Sequence, residues 1–131
     1  MILLKRLHLN NFRSFDEATI EFSDFNVLVG ANASGKSNVL QAIQFLKDIR
    51  KHGLDNAISL QGGMQYLSNM QFDVEKPTFI EAMFLLRSNY KDNLLGFGLQ
   101  AINYRLKLER TNERDVFYGD SVKRIDQIWI Y

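Results

Sequence analysis

The chain has 131 residues, 46% of them apolar and 12% aromatic, which is ample for one packed domain. Sixteen basic against fifteen acidic residues leave a net charge of +1; this excludes the global field that marks many nucleic-acid-binding chains, though not a local basic patch. Cysteine is absent, which removes disulfides, thiolate zinc sites and Cys nucleophiles and suits a reducing, cytoplasmic setting, and no stretch approaches the roughly 18 apolar residues of a membrane span.

Residues 2–9 and 18–22 alternate apolar and polar side chains (Leu7 and Leu9 against Arg6 and His8; Ile20 and Phe22 against Thr19 and Glu21), the period of strands with one buried face. Between them, residues 10–16 form a turn-rich connection that carries two aromatics and Arg13. The ordinary reading of Arg13 is a solvated loop charge; the functional one puts Arg13 and Ser14 on the rim of a site built by the next segment.

That segment organises the chain. Phe25-Asn26-Val27-Leu28-Val29 predicts a third strand, and it runs into Gly30-Ala31-Asn32-Ala33-Ser34-Gly35-Lys36-Ser37, which has the spacing G-x-x-x-x-G-K-[ST] of a phosphate-binding loop. Glycines at 30 and 35 stand where the backbone turns sharply and approaches a ligand. The amides of Ala33 to Lys36 and the N-terminus of the following helix point N–H groups and positive dipole at an anion. Lys36 adds a full charge for the β- and γ-phosphates, Ser37 a hydroxyl for Mg²⁺, and Asn32 a donor for the γ-phosphate. With Gly at ~7% of residues, the four fixed positions match by chance in a chain this long on the order of one time in two hundred. The flanking strand and helix patterns lower that further, so a plain Gly/Ser turn is the weaker reading.

After Ser37 the series Val39, Leu40, Ile43, Leu46, Ile49 predicts a helix burying that stripe under the sheet. Arg50, Lys51 and His52 suit its negative dipole end and Gly53 its C-cap, so His52 reads as a helix terminator and His8 as a solvated strand residue. Residues 54–77 read as an irregular connection with one short helix near 55–60. Residues 78–86 and 100–110 read as strands, the second with clean alternation (Ile102, Tyr104, Leu106, Leu108 against Asn103, Arg105, Lys107, Glu109). Val116, Tyr118, Ile128 and Ile130 continue the habit, so residues 78–131 are expected to form an antiparallel β region. Tyr131 falls inside a strand-like run, and the chain is expected to stop before its fold does. The organisation is one partial domain: strands, loop and helix in 1–53, the connection in 54–77 and the β region in 78–131.

Leu7-His8-Leu9-Asn10-Asn11-Phe12-Arg13-Ser14-Phe15, followed by the run from Phe25 to Ile43, resembles the N-terminal part of the SMC/RecF/OLD-like branch of ABC-type ATPases, often labelled AAA-family ATP-binding proteins. The resemblance is close over residues 1–50 and weak afterwards. It implies an α/β P-loop NTPase fold, an ABC-type head's N-terminal lobe with an antiparallel β-subdomain, and two ATPs sandwiched between two heads. Gly30, Ala31, Asn32, Ala33, Ser34, Gly35, Lys36, Ser37 and Asn38 would hold ATP and Mg²⁺, with Lys36 catalytic and Ser37 on the metal. The turn from Asn11 to Ser14 would lie near the base or ribose. A head-to-head homodimer or a complementing C-terminal lobe, and DNA, are partners that the resemblance implies.

Two departures stand out. The family commonly has glycine where this chain has Ala33, which asks a Cβ to fit a strained loop. ABC-type hydrolysis also needs a Walker B strand ending in Asp-Glu, a Ser-Gly-Gly-type signature and a switch histidine. The only Asp-Glu pair, Asp16-Glu17, precedes the loop and reads as lying outside a strand, and Ser59-Leu60-Gln61-Gly62-Gly63 reads as a glycine turn one helix after the loop. The chain is therefore expected to be an ATPase lobe that another segment completes. The alternative is a non-catalytic nucleotide-binding regulatory module; an unrelated GTPase or small-molecule kinase is disfavoured, since no Asn-Lys-x-Asp motif occurs.

Overall fold

A computed structural model describes residues 2–69, 76–86, 100–111 and 121–130. In chain order the elements are β1 (Ile2–Phe12), β2 (Phe15–Glu21), α1 (Lys36–His52), α2 (Leu54–Leu60), α3 (Met64–Leu67), β3 (Thr78–Leu86), β4 (Gln100–Thr111) and β5 (Ser121–Ile130). The strands form one antiparallel sheet in the order β2-β1-β3-β4-β5. The meander expected in the second half is present as β3, β4 and β5. Val116 and Tyr118 lie outside the described residues.

Alternation along the strands is what gives this sheet a dry face. Registration sets Leu9 beside Ile80 and Ile80 beside Leu106, while Leu7 stands beside Ala82. Each of these side chains is buried, and together with Phe12 and Leu108 they meet Ala42 and Phe45 of α1, Ala57 and Ile58 of α2, and Met64 and Leu67 of α3 in a single core. The helices therefore cover one face of the sheet. The other face carries paired charges: Arg6 on Glu21 at 2.9 Å and Arg105 on Glu81 at 2.6 Å. His8 is on this face as well, but it is half-buried, with Nδ1 2.8 Å from Thr19 Oγ1.

Several expectations are corrected. The β1–β2 connection is only Arg13 and Ser14, because the strands run on to Phe12 and resume at Phe15. Asp16-Glu17 therefore does lie on a strand, with Asp16 Oδ1 3.0 Å from Lys76 Nζ and Glu17 Oε1 3.6 Å from His8 Nε2. On α1 the fully covered positions are Val39, Ala42, Phe45 and Asp48, whereas Leu40 is 60% exposed and Ile43, Leu46 and Ile49 are half-buried. Most of the expected stripe therefore holds: Val39 is buried and Ile43, Leu46 and Ile49 pack partly buried against the core, while Ala42 and Phe45 are the positions buried in it and Leu40 alone lies outside. The 54–77 connection holds α3 as well as α2.

The third strand is absent: residues 25–29 are in no strand. Ser23 N donates to Asn26 Oδ1 and Asn26 Nδ2 donates back to Ser23 O, both at 2.9 Å, so a side-chain-closed turn diverts the chain from the edge of β2. Both neighbours of β1 are already taken, by β2 and β3. The run is left on the surface, with Phe25 83%, Val27 67%, Leu28 44% and Val29 87% exposed.

Candidate functional site

The loop of residues 30–35 ends on Gly35, which starts α1 with φ 95° and ψ −1° and gives the helix no side-chain cap. The first helical bond runs from Val39 N to Gly35 O at 3.1 Å. The amides of Gly35, Lys36, Ser37 and Asn38 consequently donate to no protein acceptor among the described residues, and the first turn of α1 carries no acidic residue that would compete for them. Unclaimed N–H groups at the positive end of a 17-residue helix are disposed to attract an anion.

Sequence sets this geometry locally. A Cβ on Gly35 would stand 2.9 Å from the Phe15 ring in a left-handed conformation, and a Cβ on Gly30 would stand 2.7 Å from Ser34 Oγ. Gly35 is thus required by close approach as well as by its left-handed backbone, whereas a Cβ on Gly30 would meet chiefly the movable Ser34 hydroxyl. Ala33 sits at φ 64°, so the loop does hold an L-residue in the left-handed region, where its Cβ crowds the following carbonyl.

Lys36 folds back over the loop. Its ammonium donates to Gly30 O and Ala31 O and reaches Ser34 Oγ at 3.1 Å. Ser14 and residues 32–38 line a cavity of about 460 Å³ above the helix N-terminus. Asn32, Ala33, Ser34, Gly35, Lys36, Ser37 and Asn38 are thus brought together with Ser14, while Gly30 and Ala31 take part through the carbonyls that receive Lys36. Ser14 is fixed by Asn38, whose Nδ2 donates to Ser14 Oγ at 2.5 Å.

Arg13 is not in that lining. Its Nη2 donates to Gln61 Oε1 at 2.5 Å, its guanidinium carbon stands 5.9 Å from the centre of the Phe12 ring, and burial holds its pKa below the usual value. Asn11 is also elsewhere: fully buried at φ 51°, it donates from Nδ2 to Lys76 O at 2.8 Å and accepts from Asn69 N at 3.3 Å, while its carbonyl accepts from Thr78 Oγ1. It is a structural bracket between β1 and the start of β3. Two contributors escaped the sequence reading: Phe15, which packs on Gly35, and Gln61, which holds Arg13. The Arg13–Gln61 contact spans 48 positions, and no local spacing announces it. Of the stretch from Ser59 to Gly63, Ser59 and Leu60 end α2, and Gln61, Gly62 and Gly63 make the turn into α3.

Residues 1–124 match the AAA ATPase domain family. A DNA replication and repair protein RecF from Trichormus variabilis is 33% identical over 84 residues, 63% of this chain and 22% of the relative. A RecF from Pediococcus pentosaceus is 50% identical over 50 residues, 37% of this chain and 13% of the relative. The structure of the recombination mediator protein RecF with ATP in the RecFOR pathway superposes with a TM-score of 0.54 at 20% identity, over 97% of this chain and 26% of that one. A structure from work on ATP-driven dimerization and DNA-stimulated activation of SMC ATPases gives 0.53 at 23% identity, over 97% of this chain and 68% of that one. The chain thus spans 22% or less of these two RecF relatives. It belongs to the AAA ATPase domain family, and its fold is similar to that of the RecF and SMC ATPase structures.

Proposed function

We propose that the chain holds MgATP over residues 30–38 and that hydrolysis awaits groups from a complementing lobe or a second head. The observation that carries this reading is the convergence of four unclaimed amides, the Lys36 ammonium and the Ser37 hydroxyl at one cavity. The amides would cradle the phosphates, Lys36 would leave its own carbonyls for the β- and γ-phosphates, and Asn32 and Ser14 would donate at the rim. The fit to Mg²⁺ rests on Ser37, whose hydroxyl is exposed at the cavity. One protein oxygen suits an ion that takes most of its shell from phosphate and water. Bound there, the metal would neutralise charge developing on the phosphoryl oxygens.

Turnover needs more than this half-cage. Phosphoryl transfer to water depends on groups that position the attacking water and stabilise charge from its side. Asp16 and Glu17 are engaged with Lys76 and His8 on β2, and among the described residues no three His, Asp or Glu side chains converge on one point. The exposed run of residues 25–29 supports completion by further strands: apolar at every position but Asn26, it has nearly the pattern of a strand buried on two sides in a parallel sheet. Among the described residues no helix is long and apolar enough to cross a membrane; we place the chain in the cytoplasm. The RecF relatives are named for DNA replication and repair, and we assign DNA maintenance as the process served.

Phosphate release decides the reading. The purified chain should bind ATP but hydrolyse it far more slowly than the ~1–10³ s⁻¹ of ordinary enzymes, and adding the complementing lobe should raise the rate in a Lys36-dependent way. A Lys36-dependent rate in that range from the chain alone would show that it is self-sufficient. Tight binding with no turnover in any assembly would identify a non-catalytic nucleotide-binding module.

A further inference from the structure

The β1–β2 turn is two residues long, yet it is fastened to three distant places. Arg13 N donates to Leu67 O at 2.7 Å, Arg13 Nη2 donates to Gln61 Oε1 at 2.5 Å, and Ser14 Oγ accepts from Asn38 Nδ2 at 2.5 Å. Phe15, the next residue, packs so closely on Gly35 that a Cβ there would collide with its ring. One side of the turn therefore touches the loop and the first turn of α1. Its other side holds the α2–α3 connection and the end of α3.

Arg13 is held in a costly way. Its φ is 49°, in the left-handed region that a non-glycine residue keeps only where its surroundings over-determine it. Its Nε is buried without a hydrogen-bond partner among the described residues, so part of a permanently charged guanidinium is desolvated for one contact to Gln61. Strain and desolvation concentrated on a single residue between two elements point to a role in linking them.

We propose that the β1–β2 turn couples the phosphate loop to the α2–α3 connection: nucleotide on residues 30–38 steadies Asn38 and Ser14, and through them Arg13 steadies Gln61 and Leu67. Arg13 is then a positioning residue that transmits occupancy of the site. The coupling rests on the ATP-site reading above. A ligand that orders one part of a fold lowers local opening in the parts that share its contacts. The α2–α3 connection has suitable reporters: the amides of Gln61, Gly62, Gly63 and Ser68 bond to Ala57 O at 3.2 Å, Ser59 O at 3.0 Å, Ile58 O at 2.9 Å and Met64 O at 3.2 Å.

The test is amide hydrogen exchange of the purified chain with and without MgATP, in the wild type and in Arg13→Gln, Gln61→Leu and Gln61→Glu. In the wild type, nucleotide should slow exchange in residues 31–38 and also in 61–68, the latter by roughly fivefold or more, the low end of coupling between linked sites. Arg13→Gln and Gln61→Leu should keep protection of the loop and lose it at 61–68. Gln61→Glu, which retains an acceptor for Arg13, should keep both. Exchange of the Leu7 and Leu9 amides in β1 monitors the fold, a change a merely structural role would produce without nucleotide. A protected loop with unchanged 61–68 in the wild type would overturn the coupling alone, as would protection at 61–68 that survives all the substitutions. Loss of loop protection in Arg13→Gln would make Arg13 a nucleotide contact and overturn its positioning role. A wild-type loop that nucleotide does not protect would refute the ATP site, and the coupling with it.

Discussion

Replacing Lys36 with alanine tests the site where its electrostatics are strongest. A charge-assisted hydrogen bond to phosphate is worth about 1.5–3 kcal/mol. In the free chain, however, the ammonium already donates to Gly30 O and Ala31 O and lies 3.1 Å from Ser34 Oγ. Binding therefore exchanges neutral acceptors for charged ones, and the net contribution should fall near the lower end, about 1.5 kcal/mol, or roughly tenfold in Kd. Because Lys36 opens α1 and its hydrogen bonds all go to exposed loop groups, thermal stability without ligand should shift by no more than about 0.5 kcal/mol. Titration with a fluorescent ATP analogue measures the first quantity and thermal unfolding the second. Equal affinity in wild type and Lys36→Ala, with both folded, would refute the assignment of the phosphate site. A large loss of stability would instead show that Lys36 braces the loop.

Ser37→Ala should lower ATP affinity only when Mg²⁺ is supplied, which paired titrations with magnesium and with EDTA would show. Gly35→Ala forces a Cβ into a left-handed backbone 2.9 Å from Phe15; it should cost about 1–3 kcal/mol and lower Tm by several degrees in calorimetry. Val27→Asp and Val29→Asp alter side chains that are 67% and 87% exposed, so the chain's own stability should hold within about 0.5 kcal/mol. The same changes should abolish pull-down of a complementing lobe, and unimpaired assembly would show that residues 25–29 do not form the joint.

The loop and helix start of the proposed phosphate site were legible in the sequence because they are local. Gly30 and Gly35 bracket a turn, Lys36 and Ser37 follow at fixed spacing, and the helix that presents their amides runs from Lys36 to a stop at Gly53. Alternation in residues 78–86 and 100–110 likewise announced β3 and β4, since a period of two is a property of the strand itself. What depends on partners was not legible. Residues 25–29 have the composition of a strand, but a strand exists only beside another, and the Ser23–Asn26 turn leads this run away from the sheet. Of the aliphatics read as the buried stripe of α1, Val39, Ile43, Leu46 and Ile49 are buried or pack against the core, yet packing between the sheet and α2 made Ala42 and Phe45 its fully buried positions and left Leu40 outside. Asn11 and Arg13 belonged to one turn motif in sequence, and tertiary contacts gave them separate tasks. Residues 69 and 76–78 close around Asn11, while Gln61 and Leu67 hold Arg13. Backbone conformation follows from near neighbours, whereas the face that is buried and the partner that is held are decided only when distant segments meet.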